Sequence, residues 1–332
     1  MIKIISPKIL IIIFLFSTFT FSQVRIGDFQ VAMYGFDKLD KKTVDRLKDK
    51  TVKFILPDFY SIKEYETILN QVWTFTPYEI ILTNNFNEDD VKEGDVLAQF
   101  LSAYARGRDS EGFVHTKYFC TLELSIVEKI IKKKKDYLLN RENTEIATIY
   151  FTQSPHSRFL PPIDGYQENE FFPPVKNVDY LSNFRLGYLK NFLNLINSSI
   201  TDLKSIDIYD DFVLEELKNL KMDTLYIDKS FDNGAFPKLD YKQNKWPKLK
   251  DLIEKYNYKY KFVDYKEIEE MIMNDNSSNF YYLMYNQIVK NKIITILNGK
   301  NGQIIYQNHS SNSLFINDKD IKKINSAIEK LN

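Results

Sequence analysis

The order of apolar segments constrains the fold of this chain more than any single motif. An apolar, β-branched run at 51–56 (TVKFIL) is followed by a segment with helical periodicity from Ile62 and by a second strand-like run at 78–82 (YEIIL). The same succession returns later, where TLYI at 224–227 and YKFV at 260–263 enclose another helical segment. A shared order of elements at similar spacing indicates an internal repeat.

The correspondence extends on both sides of these segments. DRLKDKTVKFIL (45–56) and EELKNLKMDTLYI (215–227) both run from the end of a helix into a strand. DVLAQF (95–100) follows the first unit, and FYYLMY (280–285) follows the second. We therefore predict an α/β (α+β) protein of two related domains, each a small mixed sheet with flanking helices, produced by duplication. The alternative is that two unrelated α/β units share this order through their class alone.

Two further patterns give local predictions. Residues 118–124 alternate so that Cys120 lies on the apolar face of a strand, which makes it a small core residue. KIITIL (292–297) and QIIY (303–306) are joined by NGKNG (298–302), and Gly and Asn tolerate the positive φ of a tight turn. We predict a β-hairpin there. A final helix is expected after a cap at Asn317.

Proline marks a different kind of segment in the middle of the chain. Five of the ten prolines lie between positions 153 and 175, where their density excludes a helix or a central strand. We predict a linker or an ordered surface loop over 153–178. Residues 181–200 then carry apolar side chains at helical spacing, and this amphipathic helix is expected to bridge the halves. The predicted domains are residues 23–152 and 179–332, the second including the bridging helix.

The first 22 residues have the order of a secretory signal peptide. Two lysines precede the apolar run 9–16, and small residues follow around Thr20-Phe21-Ser22. A membrane anchor needs about 20 consecutive apolar residues, more than this run provides. We predict cleavage before Gln23, export to the periplasm or beyond the cell, and no transmembrane anchor after cleavage. An uncleaved anchor is the alternative.

Composition limits the classes of partner. Lysine plus arginine and aspartate plus glutamate are equal at 45 each, so no net charge attracts nucleic acid, and we predict none as a partner. Cys120 is the only cysteine, which excludes a disulfide within the chain. The aromatic content of 15% accompanies many Lys, Asn and Ile residues and is best explained by A/T-rich codons, with sugar-stacking platforms as the alternative.

No motif of known chemistry is complete. The histidines show no spacing typical of zinc ligands (His115, His156 and His309). Gly107 and Gly112 have the separation found in a phosphate loop, but Phe113 occupies the position of the required lysine. The acidic stretch 88–95 lacks the glycine and glutamate of a calcium loop and fits acidic residues at a helix start. We predict no cofactor and no metal, and the sequence identifies no catalytic residue.

Two resemblances accompany these patterns. Two segments resemble uncharacterised exported proteins of Bacteroidota, in which strand-helix-strand units occur in pairs. They are the leader, which ends in Thr-Phe-Ser-Gln, and the segment VWTFTPYEIIL (72–82). This likeness implies no activity and no site residue. The order of segments in the C-terminal half is also similar to the small α/β domains of envelope lipoproteins of the curli-secretion and Tol-associated families, which is a similarity of fold alone.

The leading functional prediction is a non-enzymatic binding or assembly protein of the bacterial envelope. The sequence does not define its partner, and another envelope protein is the natural candidate. FYYLMY or QIIY would accept a partner's strand if either lay at an exposed sheet edge. The alternative is a secreted hydrolase of an extracellular polymer, with carboxylates that converge only in three dimensions.

Overall fold

The computed structural model describes residues 23–30, 35–108, 114–131, 141–152, 178–231, 249–274, 278–288, 291–311 and 316–332. Within these ranges the chain forms two six-stranded mixed sheets, flanking helices and one small two-stranded sheet. No helix in these ranges is long and apolar enough to cross a membrane. The leader and most of the proline-rich segment lie outside the described residues, so cleavage and the linker remain predictions.

The first half of the chain forms the first sheet. Its elements are β1 (Val24–Ile26), β2 (Asp28–Gln30), β3 (Gly35–Asp37), α1 (Lys41–Leu47), β4 (Val52–Leu56), α2 (Ile62–Val72), β5 (Tyr78–Leu82), β6 (Val96–Arg108), β7 (Val114–Ile130) and β8 (Arg141–Phe151). The sheet order is β1-β8-β7-β6-β4-β5, while β2 and β3 pair with each other beside β8. β4 is parallel to β5 and β6, and the other neighbours are antiparallel.

The second half forms a sheet of the same size. Its elements are α3 (Leu186–Thr201), β9 (Phe212–Val213), β10 (Leu225–Asp228), α4 (Leu249–Ile253), β11 (Tyr260–Val263), α5 (Tyr265–Met273), β12 (Tyr281–Ile288), β13 (Asn291–Asn298), β14 (Ile304–Ser310) and α6 (Asp318–Lys330). The sheet order is β11-β10-β12-β13-β14-β9. β10 is parallel to β11 and β12, and the remaining pairs are antiparallel.

The two sheets have the same topology. β5, β4, β6, β7, β8 and β1 correspond in order and direction to β11, β10, β12, β13, β14 and β9. α3 follows β8 in the chain as α6 follows β14. The predicted fold, two related mixed α/β units with flanking helices, is therefore confirmed. The strand correspondences expected from the sequence, β4 with β10 and β6 with β12, are those of the structure.

α3 lies between the two units. It packs against α2 of the first unit and α5 of the second. Tyr188 stacks on Tyr282 of β12 with the ring centroids 5.6 Å apart. The helix begins at Leu186 and not near position 181, because Arg185 is extended and forms the N-cap. A single buried core includes apolar residues of both units.

The strands suggested as docking edges are not edges. β12, which contains most of FYYLMY, lies between β10 and β13, and β14, which contains most of QIIY, is flanked by β13 and, at Tyr306 and Gln307, by β9. The condition under which these two segments would accept a partner's strand, an exposed sheet edge, is therefore not met, because a run that is apolar on both faces lies inside a sheet. The outermost described strands are β1 and β5 in the first sheet and β9 and β11 in the second.

Local signals in the sequence explain several boundaries. Ser61 forms a capping box at the start of α2, and Asn317 forms one at the start of α6. The predicted hairpin is present between β13 and β14, where Gly302 has a φ of 72° and donates to the Asn298 carbonyl over 2.9 Å. Cys120 is a core residue at 2% exposure, and burial raises its pKa to about 12.

Candidate functional site

A cavity opens where the parallel strands of the first sheet end. After β4 the chain forms β5 on one side of it and then β6 on the other, so the connections diverge at the carboxyl end of β4. Open α/β sheets bind ligands at such points. The cavity has a volume of about 280 Å³, close to the lower limit for a small-molecule site. Its polar lining residues are Asp58, Thr83, Asn84, Gln99 and Ser102.

Asp58 is the one charged residue among the described lining residues. It directly follows Pro57, just beyond the end of β4. Asn84, in the 3-10 turn after β5, donates from Nδ2 to Oδ2 of Asp58 over 2.6 Å. Both residues are exposed. Within the described structure, Oδ1 of Asp58 has no hydrogen bond, so it can accept one from a ligand.

Gln99 connects the cavity to the ion pair between Arg141, which is buried, and Glu88, which is exposed. Its Nε2 donates to Glu88 over 3.1 Å, and its Oε1 accepts from Arg141. Arg141 also donates to Glu88 over 2.9 Å. The Arg141 side chain is only 5% exposed, and its Nε has no hydrogen-bond partner in the described ranges. The pair therefore fixes the orientation of the Gln99 amide.

A row of polar residues continues from Gln99 across the same face of the sheet. Gln99 lies opposite Glu123 of β7, Glu123 opposite Thr148 of β8, and Thr148 opposite Arg25 of β1. Directly paired residues point to the same side of a sheet, so these four side chains form one line, which we call the polar row. Arg25 is 5% exposed and Thr148 is 1% exposed.

The second sheet has no charge along the equivalent line. The residues that occupy it, in the same strand order and register, are Met284, Thr295, Gln307 and Phe212. The two units thus share a fold but differ in the chemistry of this face. The charges of the polar row are therefore a feature of the first unit, and buried charges of this kind need partners to be tolerated.

Glu145 completes the charge balance of the polar row. Arg25 donates from Nε to Oε1 of Glu145 over 3.2 Å and from Nη2 to Thr148 over 3.3 Å. Glu123 accepts a hydrogen bond from Thr121 over 3.0 Å. Burial raises the pKa of Glu123, and the negative charge of Glu145 raises it further. Glu145 is therefore an ion-pair partner beside the row, whereas Glu123 within the row binds a proton more readily than usual.

The segment that leads into the second unit brings more acidic groups toward Arg25. Ile206 forms a bridge with Ile26 at the end of β1. Burial raises the pKa of Asp207 to about 6, and the charge of Asp210 contributes. The pKa of Asp210 is also raised to about 6, by burial and by the neighbouring Asp211. Both carboxyl groups should titrate in mildly acidic solution.

We expect the wild type to gain stability relative to an Asp207→Asn/Asp210→Asn variant as the pH falls from about 7 to about 4. The folded-state pKa values of about 6 lie above the ordinary value of 3.8. The folded protein therefore binds protons in this range that the unfolded chain does not bind. Urea unfolding at a series of pH values measures the difference. The control is Asp202→Asn, which keeps Asp207 and Asp210, so its stability difference from the wild type should not change with pH. Parallel pH curves for the wild type and the double variant would contradict the assignment.

Of the three histidines, His309 is the one whose side chain lies within the described residues. His309 lies in β14 with its ring 6.4 Å from that of Tyr209, whereas the side chain of His115 and the whole of His156 lie outside the described residues. In the described part of the chain, no group of three or more His, Cys, Asp or Glu residues could hold a metal ion. Within the acidic stretch, Glu88–Asp90 form a 3-10 turn whose N-cap is Asn87, whereas Asp95 pairs with Lys53 over 2.9 Å, so only the first three acidic residues lie at the start of a helical turn.

Sequence reasoning missed the residues of the polar row, although a signal was present. The strand containing Cys120 was recognised by its apolar face, and Thr121, Glu123 and Ser125 alternate with that face. A charged residue in the middle of such a strand indicates a polar surface on the other side of the sheet. Arg141 was missed because β8 was not predicted.

No family model, curated protein or solved structure matches this chain. The resemblance to exported proteins of Bacteroidota therefore stays a prediction. Any functional inference rests on the cavity, the polar row and the duplicated architecture.

Proposed function

We propose that this chain is an exported, non-enzymatic binding protein of the bacterial envelope, and that it holds its ligand in the cavity beside Asp58. The observation that supports this proposal is the difference between the two units. Glu123 and Arg25 of the polar row occupy positions that are uncharged in the second sheet. The second unit has its own buried ion pair elsewhere, between Lys292 and Asp320, so the difference concerns this line of the sheet alone, where only the first unit carries charged side chains.

The lining residues favour a neutral ligand rich in hydroxyl groups. Asp58, Asn84 and Gln99 offer carboxylate and amide groups, and the described wall contains no lysine or arginine to attract an anion. Phe86 and Leu101 add apolar surface. Sugars combine hydroxyl groups with an apolar ring face, so a short segment of an envelope or extracellular polysaccharide is the ligand class that we propose.

Calorimetric titration with a panel of oligosaccharides tests this proposal. We expect at least one sugar to bind the wild type, and Asp58→Ala to weaken it roughly tenfold or more, because a hydrogen bond to a charged group contributes about 1.5–3 kcal/mol. Asp49→Ala, at an exposed aspartate before β4, is the matched control and should bind as the wild type does. Failure of every sugar to bind, or equal binding by Asp58→Ala, would rule out the proposed site.

One observation favours the hydrolase as a second candidate. A carboxyl group with a raised pKa next to a second carboxylate is a typical arrangement of a general acid and its partner, and Glu123 with Glu145 provides it. The same sugar mixtures can be analysed for shortened products. Cleavage that disappears in Glu123→Gln, while binding remains, would favour the enzyme over the binding protein.

A further inference from the structure

β5 and β11 occupy the same outer position in the two units, and both have backbone groups available for pairing. In the described ranges neither has a strand on its outer side. The Val52 amide donates to the Pro77 carbonyl over 2.9 Å, so alternate residues from Pro77 onward face β4. Backbone groups of Tyr78, Ile80 and Leu82 therefore point away from the sheet. Edge strands of this kind can pair with another chain.

The same reasoning applies to β11. The Leu225 amide donates to the Lys259 carbonyl over 3.0 Å, so Lys259 and every second residue after it face β10. The outward backbone groups belong to Tyr260 and Phe262. Tyr260 is 36% exposed, and the Lys261 side chain is 54% exposed. The edge therefore presents an aromatic pair with an exposed positive charge between its members.

We propose that β5 of one molecule pairs with β11 of a second copy in an antiparallel arrangement. In the register that matches the outward backbone groups, Tyr78 lies opposite Phe262, Glu79 opposite Lys261, and Ile80 opposite Tyr260. These are an aromatic pair, an opposite-charge pair and a β-branched–aromatic pair, and each class stabilises neighbouring strands. Glu79 is exposed and forms no ion pair within the described structure, so its charge is available to the partner.

Charge also disfavours the pairing of like edges. Two β5 strands would bring two Glu79 carboxylates onto one face, and two β11 strands would do the same with Lys261. The contact is therefore between unlike edges, and each molecule keeps one free edge of each kind. Such head-to-tail contacts continue into open chains unless the rotation between molecules closes a ring. Lys261 already pairs with Glu267 over 2.6 Å, but an exposed ion pair is weak enough to be shared or exchanged.

Sedimentation velocity over a range of protein concentrations tests the proposal. We expect the mean mass of the wild type to rise with concentration. Glu79→Lys and Lys261→Glu should each raise the dissociation constant roughly tenfold, because an attractive cross-strand pair becomes repulsive. An equimolar mixture of the two variants should associate as the wild type does, since each new charge then meets its opposite. Lys322→Glu, an exposed reversal on α6, is the matched control and should change nothing.

A second variant probes the backbone contact. Ile80→Pro removes an outward amide and spares the hydrogen bonds to β4, and proline is tolerated at a strand edge in this orientation. It should abolish association while thermal unfolding stays cooperative. A wild type that is monomeric at every concentration would overturn the proposal. Association that survives both single charge reversals, or a mixture that does not recover, would also overturn it. None of these outcomes depends on sugar binding, so this proposal and the proposed function fail separately.

Discussion

Replacing Asp320 by alanine should lower the free energy of unfolding by about 4 kcal/mol. Lys292 of β13 and Asp320 of α6 form an ion pair of 2.5 Å between side chains that are 1% and 3% exposed. The variant would leave the Lys292 ammonium buried without its carboxylate, which is among the costliest changes in a protein interior. Asp320 also accepts a hydrogen bond from the Asn317 amide at the helix start, so part of the loss belongs to the cap.

Two further variants separate these contributions in urea unfolding. Asp320→Asn keeps an acceptor for the cap but removes the charge, and it should recover only a small part of the loss. Lys292→Met combined with Asp320→Leu removes both charges and should be much less harmful than the single alanine change. A double variant as unstable as Asp320→Ala would show that packing, and not the removal of the Asp320 carboxylate from the buried Lys292 ammonium, causes the loss.

The same pair predicts an unusual pH dependence. Burial lowers the pKa of Lys292, and Asp320 opposes that effect. Without Asp320 the pKa should fall further, so the unfolded chain would bind a proton that the folded chain does not. Stability of Asp320→Ala should therefore increase as the pH is raised toward about 10, the ordinary range of lysine.

Replacing Gly302 by alanine should lower the free energy of unfolding by about 3 kcal/mol. Gly302 has a φ of 72°, a backbone conformation that residues other than glycine rarely adopt. A methyl group on its Cα would lie 2.3 Å from the carbonyl oxygen of Asn191. That oxygen belongs to the backbone of α3 and cannot rotate away. The hairpin and the helix would have to separate, which urea unfolding would detect.

Gly94 provides a matched control for this substitution. Its φ is 84°, but a methyl group there would meet only the end of the Lys50 side chain at 3.8 Å. Gly94→Ala should therefore cost only the backbone strain, about 1 kcal/mol. Equal losses for the two variants would show that the contact with α3 contributes nothing at Gly302.

The sequence allows the repeated strands to be predicted because each is a short apolar run bounded by turn residues. β4 ends at Leu56, directly before Pro57, and the β13–β14 turn contains the Asn and Gly residues that its geometry requires. β8 was missed because charged residues at its start interrupt the alternation of apolar and polar side chains that is typical of a strand (Arg141, Glu142 and Glu145). β1 and β9 are too short to show any period.

The candidate site could not be predicted in the same way. The cavity exists because β5 and β6 lie on opposite sides of β4, and chain order alone does not say on which side a strand will be placed. Glu123, Thr148 and Arg25 are far apart in the sequence and meet only through strand register. Asp58 follows a strand and a proline, so in the sequence it looks like an ordinary turn residue.

The position of α3 bears on how the molecule loses its structure. Twelve of its sixteen residues are buried, more than a helix lying on a surface would bury. α2 packs on one part of this helix and α5 on another. In the contact with α5, Lys190 donates a hydrogen bond to the Ile272 carbonyl over 3.2 Å. Unravelling of either unit would uncover this helix and weaken the other unit. We therefore expect the two units to unfold together, in one cooperative transition, when heat or denaturant is applied.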